Sequence, residues 1–310
     1  MALDYRPEIS VETPAAALRK LLAGAELVLA PGVADAMNAR IVAKEGYKAL
    51  YMTGSGTAAV RLGLPDVGLL TMSEMVDNAQ RIAEAAEIPL IADADTGYGN
   101  AINVRRTVRA YERAGVAAIH IEDQQWPKRC GHFAGKTLVP VEDMVSKLKA
   151  AADARRDRDF IVIARTDAYS VEGCEGALER AARYIEAGAD MIFVEELRTP
   201  EELAEVPRRF RVPALYNMAG SGKTPFLTAD EIQRLGFKVA IYPNFIMRAA
   251  IHAAQKVLRA LRDTGDIKGI LDTLSGWEER HELLRMSEIR ELEQRYGVDE
   301  KARVGLGSQP

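Results

Sequence analysis

Cysteine is nearly absent from this chain: Cys130 and Cys174 are the only two among 310 residues. Two thiols exclude a disulfide framework, and neither has a second cysteine at zinc-site spacing, so a reducing compartment is expected. Long apolar runs are also missing, since none approaches the roughly 20 residues that span a bilayer. The start, "MALDYRPEIS", lacks the basic-then-apolar order of a secretory leader, and a cytoplasmic protein without membrane association is expected. An excess of positive charge is lacking too. The net charge is −4 and the basic residues are interspersed with acids, which gives no field for nucleic acid.

What is present is a repeat. "EGYKALYMT", "AGVAAIHIE", "AGADMIFVE" and "LGFKVAIYP" each carry a helix-like stretch ending in glycine (Gly46, Gly115, Gly188, Gly236), followed by an apolar run. Glycine just past a helix tolerates positive φ and so suits the joint to the next strand. Further apolar runs at "ELVLAPG", "IPLIADAD", "FIVIARTD" and "VPALYNM" bring the candidate strands to eight. They are short and continuously apolar, as strands buried on both faces are, with amphipathic stretches such as "NVRRTVRAYERAG" between them. Eight such units predict an α/β fold, a TIM (β/α)8 barrel, in one domain over residues 1–310. Residues 246–310 form a C-terminal helical region, expected to dock on a neighbouring subunit.

Polar residues gather at the carboxyl ends of these strands, where a barrel builds its active site: Tyr51, Thr53 and Ser55; Asp93 and Asp95; Glu122; Arg165 and Asp167; Glu195 and Glu196; Asn217. In "ADADTGYGN", Asp93 and Asp95 leave a strand two residues apart, and Glu122 ends the next strand. A carboxylate pair alone is more often a solvated strand end or a helix cap. The third carboxylate favours a hard cation such as Mg2+, which takes oxygen ligands and leaves positions for substrate. "GSGKT" at Gly220–Thr224 lacks the earlier glycine of a phosphate loop, because Asn217 stands there, and Pro225 follows where a helix should begin. It is a turn-rich loop. A lone cysteine is usually a small buried hydrophobe. Cys130, however, sits in "WPKRCGHFAGK" among Lys128, Arg129 and His132, whose charges favour the thiolate, and Gly131 and Gly135 let the loop open and close. His120, inside a strand, is expected to pack in the barrel, and Cys174 is expected to be structural.

Together "YMTGSG", "LGLPDVGLLT", "DADTGYGN", "HIEDQ", "KRCGH", "ARTDA", "FVEE" and "NMAGSGKTP", in this order, resemble the isocitrate lyase and phosphoenolpyruvate mutase superfamily. The likeness runs from about Leu27 to about Arg248 and is strongest to the short-chain branch that includes 2-methylisocitrate and 2,3-dimethylmalate lyases. "KRCGH" marks its carbon–carbon lyases. The resemblance implies a modified TIM barrel in a homotetramer, its eighth barrel helix exchanged between subunits, and a bound Mg2+, with Mn2+ as a possible substitute. By motif match, Asp93 and Asp95 would anchor the metal, with Glu122 behind them. Thr53, Gly54 and Ser55 would grip an α-keto acid carboxylate, and Arg165 would contact substrate oxygens. Glu195, Asn217, Asp66, Lys128 and Gly131 would line the substrate site.

The implied reaction cleaves a 2-hydroxy di- or tricarboxylate, a 2-alkylmalate or 2-methylisocitrate, to pyruvate and a carboxylic acid. Cys130 would carry the proton to C3, supported by His132 and Arg165, while Tyr51 or a metal-bound water would take the hydroxyl proton. An oxaloacetate hydrolase or decarboxylase and a phosphonate mutase are the competing activities, and the intact "KRCGH" argues against the mutase. The positions two and three after the asparagine are Ala219 and Gly220, where 2-methylisocitrate lyases of this family typically carry Thr-Glu, and this implies a smaller or less polar substrate tail.

Overall fold

The computed structural model describes residues 12–131 and 135–297. His132, one of the expected catalytic residues, lies outside them. Eight strands follow in order: β1 (Val28–Val33), β2 (Leu50–Met52), β3 (Leu90–Asp93), β4 (Ala118–Glu122), β5 (Ile161–Thr166), β6 (Met191–Val194), β7 (Leu215–Asn217) and β8 (Val239–Tyr242). Every pairing is parallel; β1 joins β8, and a bridge between Ile192 and Ala214 brings β6 to β7, so the sheet closes on itself as the sequence pattern predicts. All four helix-to-strand glycines adopt positive φ, between 79° and 105°. A Cβ at those positions would strain the joint that starts each strand.

The strands are buried on both faces, and the two faces do different work. Outward residues such as Leu50, Met52, Leu90, Ile119, Val162 and Ile192 join the large cluster shared with the surrounding helices. Inward residues form a second cluster: Val28, Ala30, Tyr51, Ile91, Ala118, Ile161, Ile163, Met191, Phe193, Leu215, Val239 and Ile241. Leu18, from the helix Pro14–Ala23, completes that inner cluster. Because side chains alternate along a strand, the inward column continues two residues beyond the apolar layers into Thr53, Asp93, Glu122, Arg165, Glu195 and Asn217. A packed apolar interior therefore ends in a polar layer at the carboxyl ends.

Two compact units divide the chain, residues 1–250 and 251–310. The helix Phe245–Thr264 crosses that division. Beyond it run a short 3-10 helix, Lys268–Thr273, and two helices, Trp277–Leu283 and Met286–Arg295, with Arg285 at φ +55° between them. The segment "WEERHELLRMSEIRELEQRYG" is thus helical, as expected, but broken once.

Candidate active site

One cavity at the carboxyl end of the barrel, about 40 Å³ in volume, is lined by Tyr51, Thr53, Ser55, Asp66, Asp93, Cys130, Gly131, Arg165, Glu195, Asn217, Ala219, Pro243 and Asn244. Sequence reasoning had named most of this wall. Larger hollows lie elsewhere, such as one of about 520 Å³ between residues 20–29 and 46–48, but its charged residues, Lys20, Glu26 and Lys48, are solvent-exposed. The small cavity gathers buried acids, a buried cation and a thiol.

Register explains much of its geometry. Asp93 pairs with His120 across β3 and β4, and Glu122 with Arg165 across β4 and β5; partnered residues in a parallel sheet project to the same side. Arg165 Nη1 consequently lies 3.2 Å from Glu122 Oε2. The same guanidinium donates to Asp167 through Nε (3.0 Å) and Nη2 (3.2 Å), lies 3.3 Å from Glu195 Oε2 and stacks over Phe193. Burial works against its charge, but Asp167, Glu122 and Glu195 raise its pKa well above the usual value. Arg165 is fixed, cationic and shared among three acids.

Lys128, expected to touch substrate, turns into the protein and bridges Asp66 Oδ2 and Asp95 Oδ1, each at 2.7 Å. Burial would favour its neutral form, yet Asp95, Glu122, Asp93 and Asp66 hold it charged. Burial pushes Asp95 up to about 6, and the charges of Asp93 and Asp66 add to this against Lys128. For Asp93, burial is outweighed by His120, Lys128, Arg165 and the Asp95 amide, and its pKa is about 2. Glu122 is raised well above the carboxylate range, because burial outweighs its share of Arg165. Neither of its oxygens has a hydrogen-bond partner. Asp95 also holds φ +47°, a sparsely populated conformation of the kind found at functional sites.

Thr53 caps the helix Gly54–Leu62, its side chain accepting from the Gly56 amide at 3.2 Å. The first amides of any helix have no partner within it, so the amides of Gly54 and Ser55 are suited to an anion. A Cβ on Gly54 would lie 2.4 Å from Asp93 Oδ2, and only glycine lets this helix start so close to the carboxylate. Tyr51 Oη lies 2.9 Å from His120 Nε2, and burial together with Asp93 raises its pKa well above that of a free phenol. His120 is fully buried, as expected, and burial lowers its pKa to about 4, so it is neutral at pH 7.

The loop after β4 carries Cys130, half-buried, with its amide bound to the Asp66 carbonyl at 3.1 Å. Its neighbour Gly131 is packed so closely that a Cβ there would lie 2.3 Å from Arg165 Nη2 and 3.0 Å from Glu195 Oε2. Asn217 Nδ2 donates to both oxygens of Glu195, at 3.3 and 3.0 Å. Cys174 falls inside the helix Tyr169–Glu186, away from these residues in the fold's outer layer. Sequence reasoning did not assign Asn244 and Pro243 to the cavity, although both directly follow β8 and the strand-end rule would have found them. It gave no signal for Lys136, whose ammonium is buried against Asp167 (3.3 Å) and Glu196 (2.7 Å).

No three acidic, histidine or cysteine side chains converge as a complete cage for a metal among the described residues. A hard cation that keeps several waters requires only one or two carboxylates, and buried Asp93, Asp95 and Glu122, whose Oε1 has no hydrogen-bond partner and whose Oε2 is ion-paired with Arg165, fit such a cation. The donor set is all oxygen. Among the described residues, no helix is long and apolar enough to cross a membrane.

Residues 18–262 match the family model described as phosphoenolpyruvate phosphomutase. The chain is 47% identical over 284 residues to the 2,3-dimethylmalate lyase of Eubacterium barkeri, covering 92% of this chain and 98% of that one. It is 46% identical to the 2-methylisocitrate lyase of Aeropyrum pernix, covering 92% and 91%. Among solved structures, a 2,3-dimethylmalate lyase superposes with a TM-score of 0.87 at 38% identity (92% and 96% covered). An oxaloacetate acetylhydrolase bound to 3,3-difluorooxalacetate gives 0.88 at 38% (92% and 97%). A phosphonopyruvate hydrolase carrying oxalate and Mg2+ gives 0.83 at 34% (92% and 99%). With sequence, fold and site in agreement, the chain belongs to the phosphoenolpyruvate mutase/isocitrate lyase superfamily.

Proposed function

We propose that this protein is a Mg2+-dependent carbon–carbon lyase that cleaves a 2-hydroxy di- or tricarboxylate between C2 and C3, releasing pyruvate and a carboxylic acid. One observation carries the reading: Cys130 lines the same cavity as Arg165 and the Thr53–Ser55 helix start. An acid/base thiol, a fixed cation and an anion-binding turn are what such a cleavage requires. The Gly54 and Ser55 amides hold the carboxylate next to C2, and Tyr51 takes the C2 hydroxyl proton while passing its own phenolic proton to the neutral His120 Nε2, 2.9 Å away. Bond cleavage leaves negative charge on the fragment that contains C3, as a carboxylate enolate. Arg165 stabilises that charge, with Glu195 and Asn217 fixing its orientation. Cys130 then delivers its proton to C3, and Gly131, next in the chain, lets the thiol lie close to Arg165. Lys128 keeps Asp66 and Asp95 in place.

Asp93, Asp95 and Glu122 would hold Mg2+, or Mn2+ in its place. When bound, the cation would supply positive charge for the oxygens of the 2-hydroxy acid. Support lies in the buried acids Asp95 and Glu122, whose pKa values burial raises in spite of Lys128 and Arg165.

The substrate tail is read from the wall after β7. Glu195 is an acceptor, so Asn217 must present its amide nitrogen there, and its Oδ1 is left buried without a hydrogen-bond partner. An acceptor beside the apolar Ala219 disfavours a second tail carboxylate. A 2,3-dialkylmalate therefore fits better than 2-methylisocitrate, and kcat/KM for 2,3-dimethylmalate should exceed that for 2-methylisocitrate by tenfold or more, about 1.4 kcal/mol. A higher value for 2-methylisocitrate would mean that Arg248, near Gly220, supplies the contact. The likeness to an oxaloacetate acetylhydrolase supports one second reading, hydrolysis or decarboxylation of oxaloacetate. A screen of 2-hydroxy acids for pyruvate release, with oxaloacetate tested for oxalate, acetate or CO2, separates the two activities.

A homotetramer in the cytoplasm completes the proposal. The C-terminal unit exposes Leu258, Leu261 and Trp277 as well as Ile251, apolar surface of the kind that partner subunits cover. Light scattering gives the assembly mass directly.

A further inference from the structure

The Cys130 loop leaves β4 and returns through a short antiparallel neck, in which the Gln125 amide donates to the Thr137 carbonyl (2.8 Å) and the Val139 amide to the Asp123 carbonyl (2.9 Å). Beyond that neck, Lys136 Nζ donates to the Gly131 carbonyl at 2.5 Å and to Glu196 Oε2 at 2.7 Å, and lies 3.3 Å from Asp167 Oδ1. The other oxygen of Glu196 accepts from Lys223, in the turn-rich loop after β7. Glu196 thus holds both loops by one carboxylate. It follows β6 at φ +67°, a conformation that a non-glycine residue keeps only when its surroundings impose it. Its side chain is completely buried, and Asp167, the second acceptor of Lys136, is locked on Arg165.

We propose that Glu196 is a positioning residue that ties Lys136, and through it the Gly131 end of the Cys130 loop, and the 219–225 loop to one point, so that loosening either tie loosens the other. The chain of contacts runs from Lys223 through Glu196 and Lys136 to the Gly131 carbonyl, which adjoins Cys130 and rests against Arg165. A loop that loses the first contact loses the support of the last. The proposal rests on Cys130 being the proton carrier only for its kinetic consequence; the loop linkage itself is independent of substrate.

The test reads the reactivity of Cys130 toward iodoacetamide in the full-length protein carrying Cys174→Ala, so that one thiol reports. Glu196→Gln should raise the alkylation rate about 10- to 100-fold, the shift in open population expected when a charged hydrogen bond is lost, and lower kcat with little change in KM. Lys223→Met should raise it as well, although Lys223 is in the other loop, and adding Lys223→Met to Glu196→Gln should give no further increase. A rate within twofold of the parent in folded Glu196→Gln protein overturns the proposal. An unchanged rate in Lys223→Met overturns the linkage, and this variant serves if Glu196→Gln does not fold. If both variants expose the thiol while Cys130→Ser remains active, the linkage stands and the assignment of Cys130 as proton carrier fails.

Discussion

Gly131→Ala is the sharpest perturbation that the geometry offers. The added methyl carbon would lie 2.3 Å from Arg165 Nη2, 2.9 Å from Asp167 Oδ1 and 3.0 Å from Glu195 Oε2. Ordinary contacts begin near 3.4 Å, so one partner must move by about 1 Å. Arg165 cannot yield cheaply, because two hydrogen bonds to Asp167 and the flanking Glu122 and Glu195 fix it. The loop must therefore back off, and Cys130 moves with it. A displacement of about 1 Å at a reacting group costs on the order of 10²-fold in rate. Gly131→Ala should accordingly lower kcat about 100-fold in a pyruvate-release assay, with the melting temperature within a few degrees of the parent, since the loop adds little to the core. Gly135→Ala is the control: its nearest neighbour is Arg129 Nη1 at 3.8 Å, and its cost is only the strain of φ +78°. Activity of Gly131→Ala within threefold of the parent would refute the reasoning, because the loop would then not rest on Arg165 during turnover.

Three further outcomes follow from the same geometry. Cys130→Ser should lose about 10²- to 10⁴-fold in kcat while folding normally, since serine is a far weaker acid; activity within a few-fold of the parent removes Cys130 as proton carrier. Chelation should stop turnover and Mg2+ or Mn2+ should restore it, whereas Asp93→Ala and Asp95→Ala should not be restored; full activity in excess chelator ends the metal assignment. His120 has a folded pKa of about 4, below its unfolded value of 6.5, so the unfolded chain binds its proton first. Its contribution is therefore present above pH 6.5 and lost as pH falls toward 4, worth about 3 kcal/mol. Urea midpoints of the parent should drop across that window more steeply than those of His120→Gln, and parallel curves would disprove this.

The barrel was legible because its signals are local and repeated. A glycine forced to positive φ before β2, β4, β6 and β8, and apolar runs too short for helices, define the units without long-range knowledge. The first layer of the site was legible for a related reason: once strand ends are known, the inward column assigns Asp93, Glu122, Arg165, Glu195 and Asn217 to one rim. What the sequence hid are the partners. Lys128 reads as a cation near Cys130, but its four-carbon stem reaches Asp66 and Asp95 instead. Nothing in "FAGK" shows that Lys136 meets Glu196, sixty positions away, because such a contact depends on how a loop folds back. The break at Arg285 is similarly unmarked by glycine or proline.

The distribution of charge explains why such a cluster survives folding. Asp66, Asp93, Asp95, Glu122, Asp167 and Glu195 are buried around the cavity, and Lys128, Arg165 and Lys136 are the buried cations beside them. Isolated burial of even one such charge would be prohibitive. The barrel divides the load: Lys128 serves Asp66 and Asp95, Arg165 serves Asp167, Glu122 and Glu195, and Lys136 serves Asp167 and Glu196. The carboxylates stand at the ends of rigid strands and in the loops that follow and cannot withdraw from their neighbours, and the burial that the cations do not fully offset appears as the raised pKa values of Asp95 and Glu122. Stability is given up there to keep carboxyl oxygens buried. A divalent cation binding at those oxygens would add positive charge where burial now favours the protonated acids, and so would offset part of that cost.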